Sequence, residues 1–180
     1  MAALRPPHPS PLTEAAGPAT VAAVLTWAAF RRARPDLADA GRDLLYQVGV
    51  GLAFLATVRP DGGPRLHPFC PLLGDDALVA FIIASPKQRD LHRDGRYSLH
   101  SFPTPDDEDA FSLSGRARLV SDPDVRRAFS DQFVAERAAF HVPAPAPDHA
   151  LFAFDVDACL LTRTSGHGDH APRHEIWRSS

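Results

Sequence analysis

The alternation of apolar and polar residues predicts a mainly β fold built from antiparallel strands. In residues 111–119, apolar or small side chains at odd positions alternate with Ser or Arg at even positions. This period of two predicts a strand with one buried and one wet face. Five further stretches have the apolar content and bounding turns of strands; they are residues 51–59, 64–72, 77–83, 96–102 and 151–162. A sheet of six such strands avoids unpaired edge strands most simply by closing into a barrel.

Turn residues indicate how the first strands connect. Pro60–Gly63 is a turn in which proline presets φ and glycine supplies positive φ, and Gly74–Asp76 is a second turn. We therefore expect the first three strands to form a meander. Prolines at 64, 68 and 71 have no N–H to donate, so residues 64–72 must lie at an edge or contain a bulge.

Helical spacing of apolar residues predicts helices on both sides of the first strands. The first helix begins at Val21 and ends at Pro35, and the second follows an N-cap at Asp36. A short helix covers residues 86–94 after the third strand. A longer helix begins at Pro123, because proline suits the first helical position.

The length of 180 residues favours one domain. Residues 1–19 contain five prolines and little periodicity, so we interpret them as a flexible tail. Residues 20–164 are expected to form the single domain, with its N-terminal helices in residues 20–48. Residues 165–180 are interpreted as a polar C-terminal tail.

Composition narrows the classes of function. Nineteen basic against 22 acidic residues give a formal net charge of −3, which argues against nucleic acid as a partner. The apolar run at residues 21–30 is too short for a bilayer, which takes about 20 residues. Cys70 and Cys159 form no C-x-x-C pair and are interpreted as core cysteines of a reducing compartment. The sequence therefore predicts a cytoplasmic protein with no metal centre and no membrane or nucleic-acid partner.

The tetrapeptide Ser85-Pro86-Lys87-Gln88 is the first candidate for chemistry. Ser85 is a natural N-cap, and Gln88 completes a capping box. The free N–H groups and the dipole of a helix start make an anion site. Lys87, the one lysine beside 18 arginines, has the wrong sign for that dipole unless an anion lies between them. The alternative is an exposed lysine tolerated at a small cost.

Arg65 and His67 are a second candidate pair. They are two residues apart on a predicted strand, so both side chains leave the same face. Arginine offers a planar fork for phosphate or for a ring carbonyl. Together with the start of the short helix, the pair would enclose one anionic ligand. The alternative is a pair of exposed polar residues on an edge strand.

These residues lie in stretches that resemble the pyridoxamine 5'-phosphate oxidase-like family. Residues 54–68 resemble the first hairpin of that family, and residues 85–97, 115–117 and 122–123 resemble later segments. The resemblance covers roughly residues 49–129 and, more loosely, the last strand. It implies a six-stranded antiparallel split β-barrel that binds FMN at a homodimer interface.

Seven positions correspond to cofactor-binding positions of the family; they are Arg65, Leu66, His67, Ala80, Phe81, Ser85 and Lys87. Arg65 and Lys87 match the family's phosphate-binding arginine and lysine, and Ser85 matches the serine of its phosphate loop. Leu66 and His67 fall on the strand beside the flavin ring. The other two positions fall where the third strand passes the cofactor.

The resemblance adds two further expectations. His67 is the candidate for a catalytic group, because a neutral imidazole can donate to or accept from a flavin ring atom or a substrate. The family often completes its site from the second subunit. Residues 165–180 are therefore expected to reach the flavin of the partner subunit, with Arg173 and Trp177 as candidate contacts.

The sequence departs from pyridoxamine 5'-phosphate oxidase itself at several positions. Cys70 stands where that enzyme has a second lysine, and Ala110 stands where it has a flavin-contacting glutamine. Residues 129–149 hold no match to its substrate-binding Tyr, Arg and Ser. We therefore do not expect vitamin B6 oxidation, but an FMN-binding oxidoreductase acting on an unidentified small organic substrate. The alternatives are a deazaflavin-dependent reductase and a non-enzymatic carrier or sensor of flavin or haem.

Overall fold

The computed structural model describes residues 26–179, which contain four α-helices and nine strands. The helices are α1 (Trp27–Ala33), α2 (Pro35–Leu45), α3 (Pro86–Arg93) and α4 (Pro123–Glu136). The strands are β1 (Ala53–Val58), β2 (Pro64–Phe69), β3 (Leu72–Leu73), β4 (Leu78–Ile82), β5 (Arg96–Ser101), β6 (Ala110–Leu119), β7 (Ala150–Phe154), β8 (Ala158–Arg163) and β9 (Arg173–Arg178). The predicted tail of residues 1–19 and the predicted helix start at Val21 lie outside the described residues. Among residues 26–179, no helix has the length and apolarity of a membrane span.

Strand β6 belongs to two sheets and thereby sets the architecture. One of its edges pairs with β5 over residues 112–116, and the other pairs with β8 over residues 110–114 and with β7 over residues 117–119. One sheet has the order β2-β1-β5-β6-β8-β9 and the other β6-β7-β4-β3, with antiparallel pairing. In the described part of the chain, β2, β3 and β9 each pair on one side only. The result is the expected mainly β split barrel, with nine strands in place of six.

The predicted meander is wrong in its second strand. β2 pairs only with β1, which is the edge position that its prolines require. The chain leaves this edge at Cys70 and Pro71, and Leu72–Leu73 pairs with β4 in the other sheet instead. Because Pro71 has no N–H for a ladder, the break falls there.

The predicted last strand is two strands, β7 and β8, separated by a crossing over β6. The backbone N–H groups of Asp155 and Asp157 donate to the carbonyl oxygens of Arg116 (2.9 Å) and Ser114 (2.8 Å). These bonds lie on either side of Gly115. A Cβ on Gly115 would stand 2.0 Å from the carbonyl oxygen of Asp155, so the crossing requires a residue without a side chain.

This crossing shifts the side-chain alternation of β8 relative to the prediction. A continuous strand would bury Ala158 and Leu160, but the structure buries Cys159 (2% exposed) and Leu161 (4%) and leaves Leu160 36% exposed. A shift of one residue moves every side chain of a strand to the opposite face. An unbroken period of two therefore predicts Val156 correctly, which is 0% exposed, but assigns the wrong face from Ala158 onward.

The segment interpreted as a polar tail contains a strand. β9 pairs with β8 over six residue pairs. The ring of Trp177 packs against Phe30 of α1 with centroids 5.0 Å apart. Arg34 donates from Nη2 to Glu175 at 2.9 Å. The sequence pattern does not indicate this strand, because the side-chain contacts of β9 with Phe30 and Arg34 join segments more than 130 residues apart.

The core lies between the curled sheets and the α1–α2 pair. Its largest fully buried side chains include Trp27, Phe30 and Leu37 from the helices and Phe111 and Phe154 from the strands. Helix α4 has no fully buried residue; its partly buried phenylalanines cover a smaller cluster behind β3 and β4. The short helix α3 lies against the β1–β2 hairpin, where Lys87 meets Pro68.

Candidate functional site

Helix α3 begins at the predicted position with a side-chain cap. Ser85 Oγ accepts a hydrogen bond from the backbone N–H of Gln88 at 3.3 Å, and Pro86 occupies the first turn. That turn contains no acidic residue, so no side-chain carboxylate competes with an external anion for its N–H groups. Gln88 does not complete the predicted capping box. Its Nε2 donates instead to the carbonyl oxygens of Ile82 (2.8 Å) and Asp148 (3.2 Å).

The start of α3 and the end of β2 form a pocket of about 220 Å³. Lys87 is half-buried there, and its Nζ lies 3.4 Å from the carbonyl oxygen of Pro68. Burial lowers the pKa of Lys87, and Cys70 opposes this effect through its charge. Within residues 26–179, no carboxylate forms an ion pair with this ammonium. The pocket is lined by His67, Pro68, Ile83, Ser85, Pro86 and Lys87.

Arg65 lies beside this pocket, paired with a buried acid. Its Nε donates to Oδ2 of Asp90 at 2.7 Å, and Thr57 Oγ1 donates to the same oxygen at 3.1 Å. Arg93 Nη1 lies 3.5 Å from the other carboxylate oxygen. Burial opposes the ionisation of Asp90, but the hydrogen bonds from Arg65 and Thr57 and the arginine charges hold its pKa below the ordinary value.

One face of α3 carries the three residues that contact the hairpin or the buried carboxylate. Lys87, Asp90 and Arg93 follow each other at intervals of three residues, which places them side by side on a helix. This face lies against the β1–β2 hairpin, where Lys87 meets Pro68 and Asp90 meets Arg65. A run of two cations and one carboxylate therefore borders the open edge of the sheet.

The other predicted cofactor contacts lie away from the pocket. Leu66 is 63% exposed and leaves β2 on the face opposite Arg65 and His67. Ala80 is fully buried in the main core. Phe81 packs edge-on against Phe133 of α4 with centroids 6.0 Å apart. The structure thus brings together His67, Ser85 and Lys87. Arg65 pairs with Asp90, which lies about one turn beyond Lys87 on α3.

Sequence reasoning missed the residues that hold Arg65. No local pattern marks Thr57 or Asp90 as a site residue, although Asp90 is only 2% exposed in the structure. A detectable signal was the spacing of three between Lys87 and Asp90, which puts a carboxylate on the same helix face as the lysine. The expected contacts of Arg173 and Trp177 with a partner subunit stay a prediction. Trp177 packs within its own chain.

A larger cleft of about 420 Å³ lies between the end of α3, β6 and β7. Arg118 forms two hydrogen bonds with the buried carboxylate of Asp155, at 2.6 Å and 2.8 Å. This pair neutralises Arg118 and Asp155 against each other. Arg116 and Asp157 also line the cleft and form no ion pair within residues 26–179. In residues 26–179 no group of three or more His, Cys, Asp or Glu side chains is placed to hold a metal ion.

The comparisons with known proteins identify the family. The family model described as pyridoxamine 5'-phosphate oxidase matches residues 43–163, and the chain belongs to that family. A search of curated proteins finds no match.

Solved structures share the fold at low sequence identity. A haem-binding protein from Mycobacterium smegmatis superposes with a TM-score of 0.58 and 19% identity, covering 77% of this chain and 57% of its own length. A protein from Clostridium acetobutylicum related to general stress protein 26 gives a TM-score of 0.56 and 12% identity, covering 81% and 95%. An F420 reductase gives 0.52 and 20%, covering 65% and 94%.

Proposed function

We propose that this chain binds FMN through its phosphate at the start of α3 and is an oxidoreductase acting on a small organic substrate. The observation that carries the proposal is the half-buried ammonium of Lys87, which has no carboxylate partner within residues 26–179 and lies at a capped helix start. A cation in the first turn opposes the helix dipole, and its burial opposes its charge. A phosphate between Lys87 and the backbone N–H groups would offset both costs.

The residues present fit such a group. Ser85 caps the helix and holds its first turn in place, and Lys87 supplies a charge that no protein group neutralises in the described residues. Arg65 adds a second cation at the same edge. His67 is exposed at the mouth of the pocket, where its imidazole would reach a ring atom or a substrate. Bound FMN would supply the redox chemistry, while the chain orients it.

A second copy of the chain is the partner that we propose for the outer face of the larger sheet. Leu66 and Ile176 are each 63% exposed there, at opposite ends of the sheet. Six strands at about 4.8 Å spacing make this face about 24 Å wide. An isologous interface brings the same surface of the two copies together, and β2 joins this face to the pocket. Two rows cross the face, Leu66-Ala56-Ser98-Ser114-Ala158-Arg178 and Pro68-Phe54-His100-Ser112-Leu160-Ile176.

An absorbance spectrum of the purified full-length chain is the first test. FMN gives a two-band yellow spectrum and haem a Soret band, which matters because solved neighbours include a haem-binding protein and an F420 reductase. The pigment-free chain is then titrated with FMN and with riboflavin, following flavin fluorescence. We expect FMN to bind more tightly than riboflavin, because only FMN carries the phosphate. A colourless chain that takes up no FMN rejects the proposal.

The variant Lys87→Ala tests the phosphate contact directly. Losing a charge-assisted hydrogen bond should weaken FMN binding by about 1.5–3 kcal/mol, or roughly 10- to 150-fold, with little change in thermal stability. Arg89→Ala is the matched control, because Arg89 is an exposed cation two residues further along α3. Unchanged FMN affinity together with a lower melting temperature would show that Lys87 is a structural residue.

Oligomeric state tests the proposed pairing of two copies. We expect light scattering after gel filtration to give twice the mass of one chain. Ile176→Glu should shift the protein toward monomer by burying a charge in the interface. Val48→Glu is the control, since Val48 is 61% exposed and lies off this face. A monomeric wild-type chain would contradict the pairing.

A further inference from the structure

Asp90 is a buried carboxylate whose partners come from the β1–β2 hairpin and from α3 itself. Its side chain is 3% exposed and receives hydrogen bonds from Arg65 and Thr57. Arg93 lies close to its second oxygen and also donates to the Val58 carbonyl. A buried charge is costly unless it is paired and hydrogen-bonded. The hydrogen bonds and charges around Asp90 meet that requirement.

The pairing fixes one part of the Arg65 guanidinium and leaves the rest available. Its Nε is bound to Asp90 at 2.7 Å. Its two Nη nitrogens have no hydrogen-bond partner within residues 26–179, and the side chain is 23% exposed. A guanidinium is planar, so fixing Nε against Asp90 limits the directions in which the Nη groups can donate.

The same helix face sets the distance between the two cations. Side chains three residues apart on a helix lie about 5–6 Å apart at Cβ, which is the relation between Asp90 and Lys87. The guanidinium held by Asp90 is therefore about one turn from the start of α3. Charge-assisted N–H···O contacts are about 2.7–2.9 Å long, so one phosphate can accept from two cations at roughly this separation.

We propose that Asp90 is a positioning residue: it holds Arg65 so that the Nη nitrogens meet the same phosphate as Lys87. Asp90 does not touch the ligand. It acts through Arg65, and Thr57 helps to hold the carboxylate in place. This inference rests on the proposed function, because it assigns the second cation of the same phosphate site.

The test compares FMN with riboflavin, which lacks the phosphate. In the full-length chain, Asp90→Asn keeps the size of the side chain but removes the charge that orients Arg65. We expect it to lower FMN affinity about tenfold and to leave riboflavin affinity unchanged. Asp94→Asn is the matched control, because Asp94 follows the C-terminal end of α3 and pairs with the exposed Arg96. It should change neither affinity.

A double-mutant comparison separates positioning from general support of the fold. Once Arg65→Lys has removed the planar fork, adding Asp90→Asn should cost little further FMN affinity. Equal losses for FMN and riboflavin, or no loss of FMN affinity, would overturn the proposal. If Asp90→Asn does not fold, Thr57→Val replaces it and should give a smaller, FMN-selective loss; an unchanged FMN affinity would then overturn the proposal.

Failure of the proposed function gives a different result. A wild-type chain that binds FMN and riboflavin equally has no phosphate site, and the proposed function itself is then wrong. A wild-type chain that prefers FMN, with an Asp90→Asn variant that keeps the same preference, retains the proposed function and rejects the role of Asp90.

Discussion

Replacing Gly41 by alanine tests how closely α2 lies on the sheet. In an exposed helix this change stabilises by about 1 kcal/mol, because glycine is the poorer helix former. Here a Cβ on Gly41 would lie 2.3 Å from Cζ of Phe111 and 2.6 Å from both Cε atoms. Helix propensity and packing therefore predict opposite signs for the same substitution.

The size of the overlap decides between the two effects. Carbon atoms pack best at about 3.5–4.0 Å, so the added methyl group would overlap the ring by more than about 1 Å. Phe111 is 0% exposed, so the ring has no free space to move into. Overpacking costs about 1–3 kcal/mol, and an overlap of this size on a ring without free space belongs to the upper part of that range, about 2–3 kcal/mol. After the propensity gain, we expect Gly41→Ala to destabilise by about 1–2 kcal/mol, or roughly 2–8 °C in melting temperature.

Thermal and urea unfolding measure this change, with Asp39→Ala as the control. Asp39 lies on the exposed side of α2, so its replacement should stay within about 0.5 kcal/mol of wild type. Phe111→Leu should cost less stability in the Gly41→Ala background than alone, because the smaller side chain relieves the overlap. A Gly41→Ala variant as stable as wild type, or more stable, would refute the packing of α2 against β6.

Two further predictions concern titratable groups. The prediction of two core cysteines is wrong for Cys70, which is exposed, whereas Cys159 is buried and its burial raises its pKa to about 12. An aromatic disulfide reagent should therefore label one thiol of the native chain quickly and the second only on unfolding. Rapid labelling of both thiols would be inconsistent with the burial of β8. Burial opposes the ionisation of Asp109, but hydrogen bonds from Arg163 and Thr164 lower its pKa. A carboxyl group whose pKa is lower in the folded than in the unfolded state stabilises the fold at pH values above its unfolded pKa of about 3.9. This stabilisation is lost as the pH falls through the pKa of the folded state. Asp109→Asn should therefore lower the melting temperature at pH 7 and flatten its fall below about pH 4; parallel pH curves for both proteins would contradict this.

Local patterns were sufficient to predict the elements that carry the candidate site. The turn at Pro60–Gly63, the serine cap of α3 and the strict alternation of β6 each depend on residues close together in the chain. Their bounds agree with the structure within one or two residues for β6 and α3. The prediction that residues 64–72 lie at an edge or contain a bulge was also local, because a proline lacks its donor in any fold.

Contacts between distant segments were not predictable in this way. The strand pattern makes Arg65 a candidate anion ligand on the same face as His67, but the pairing of Arg65 with Asp90 depends on how α3 lies across the hairpin. The split between β7 and β8 depends on Gly115 lying under Asp155, 40 residues later. Strand β9 depends on Trp177 meeting Phe30. Each of these contacts joins elements whose relative placement the periodicity of one segment does not specify.

The prolines of β2 link the edge of the sheet to the candidate site. An exposed edge strand invites pairing with another strand, and proline prevents it by removing a donor. In an antiparallel strand the N–H and C=O of one residue point to the same side, so Pro68 presents a carbonyl to the free edge with no donor beside it. Lys87 Nζ lies 3.4 Å from that carbonyl. Pro68, which keeps another strand from adding to this edge, therefore also helps to place the Lys87 ammonium at the pocket. The edge remains open to a small anionic ligand.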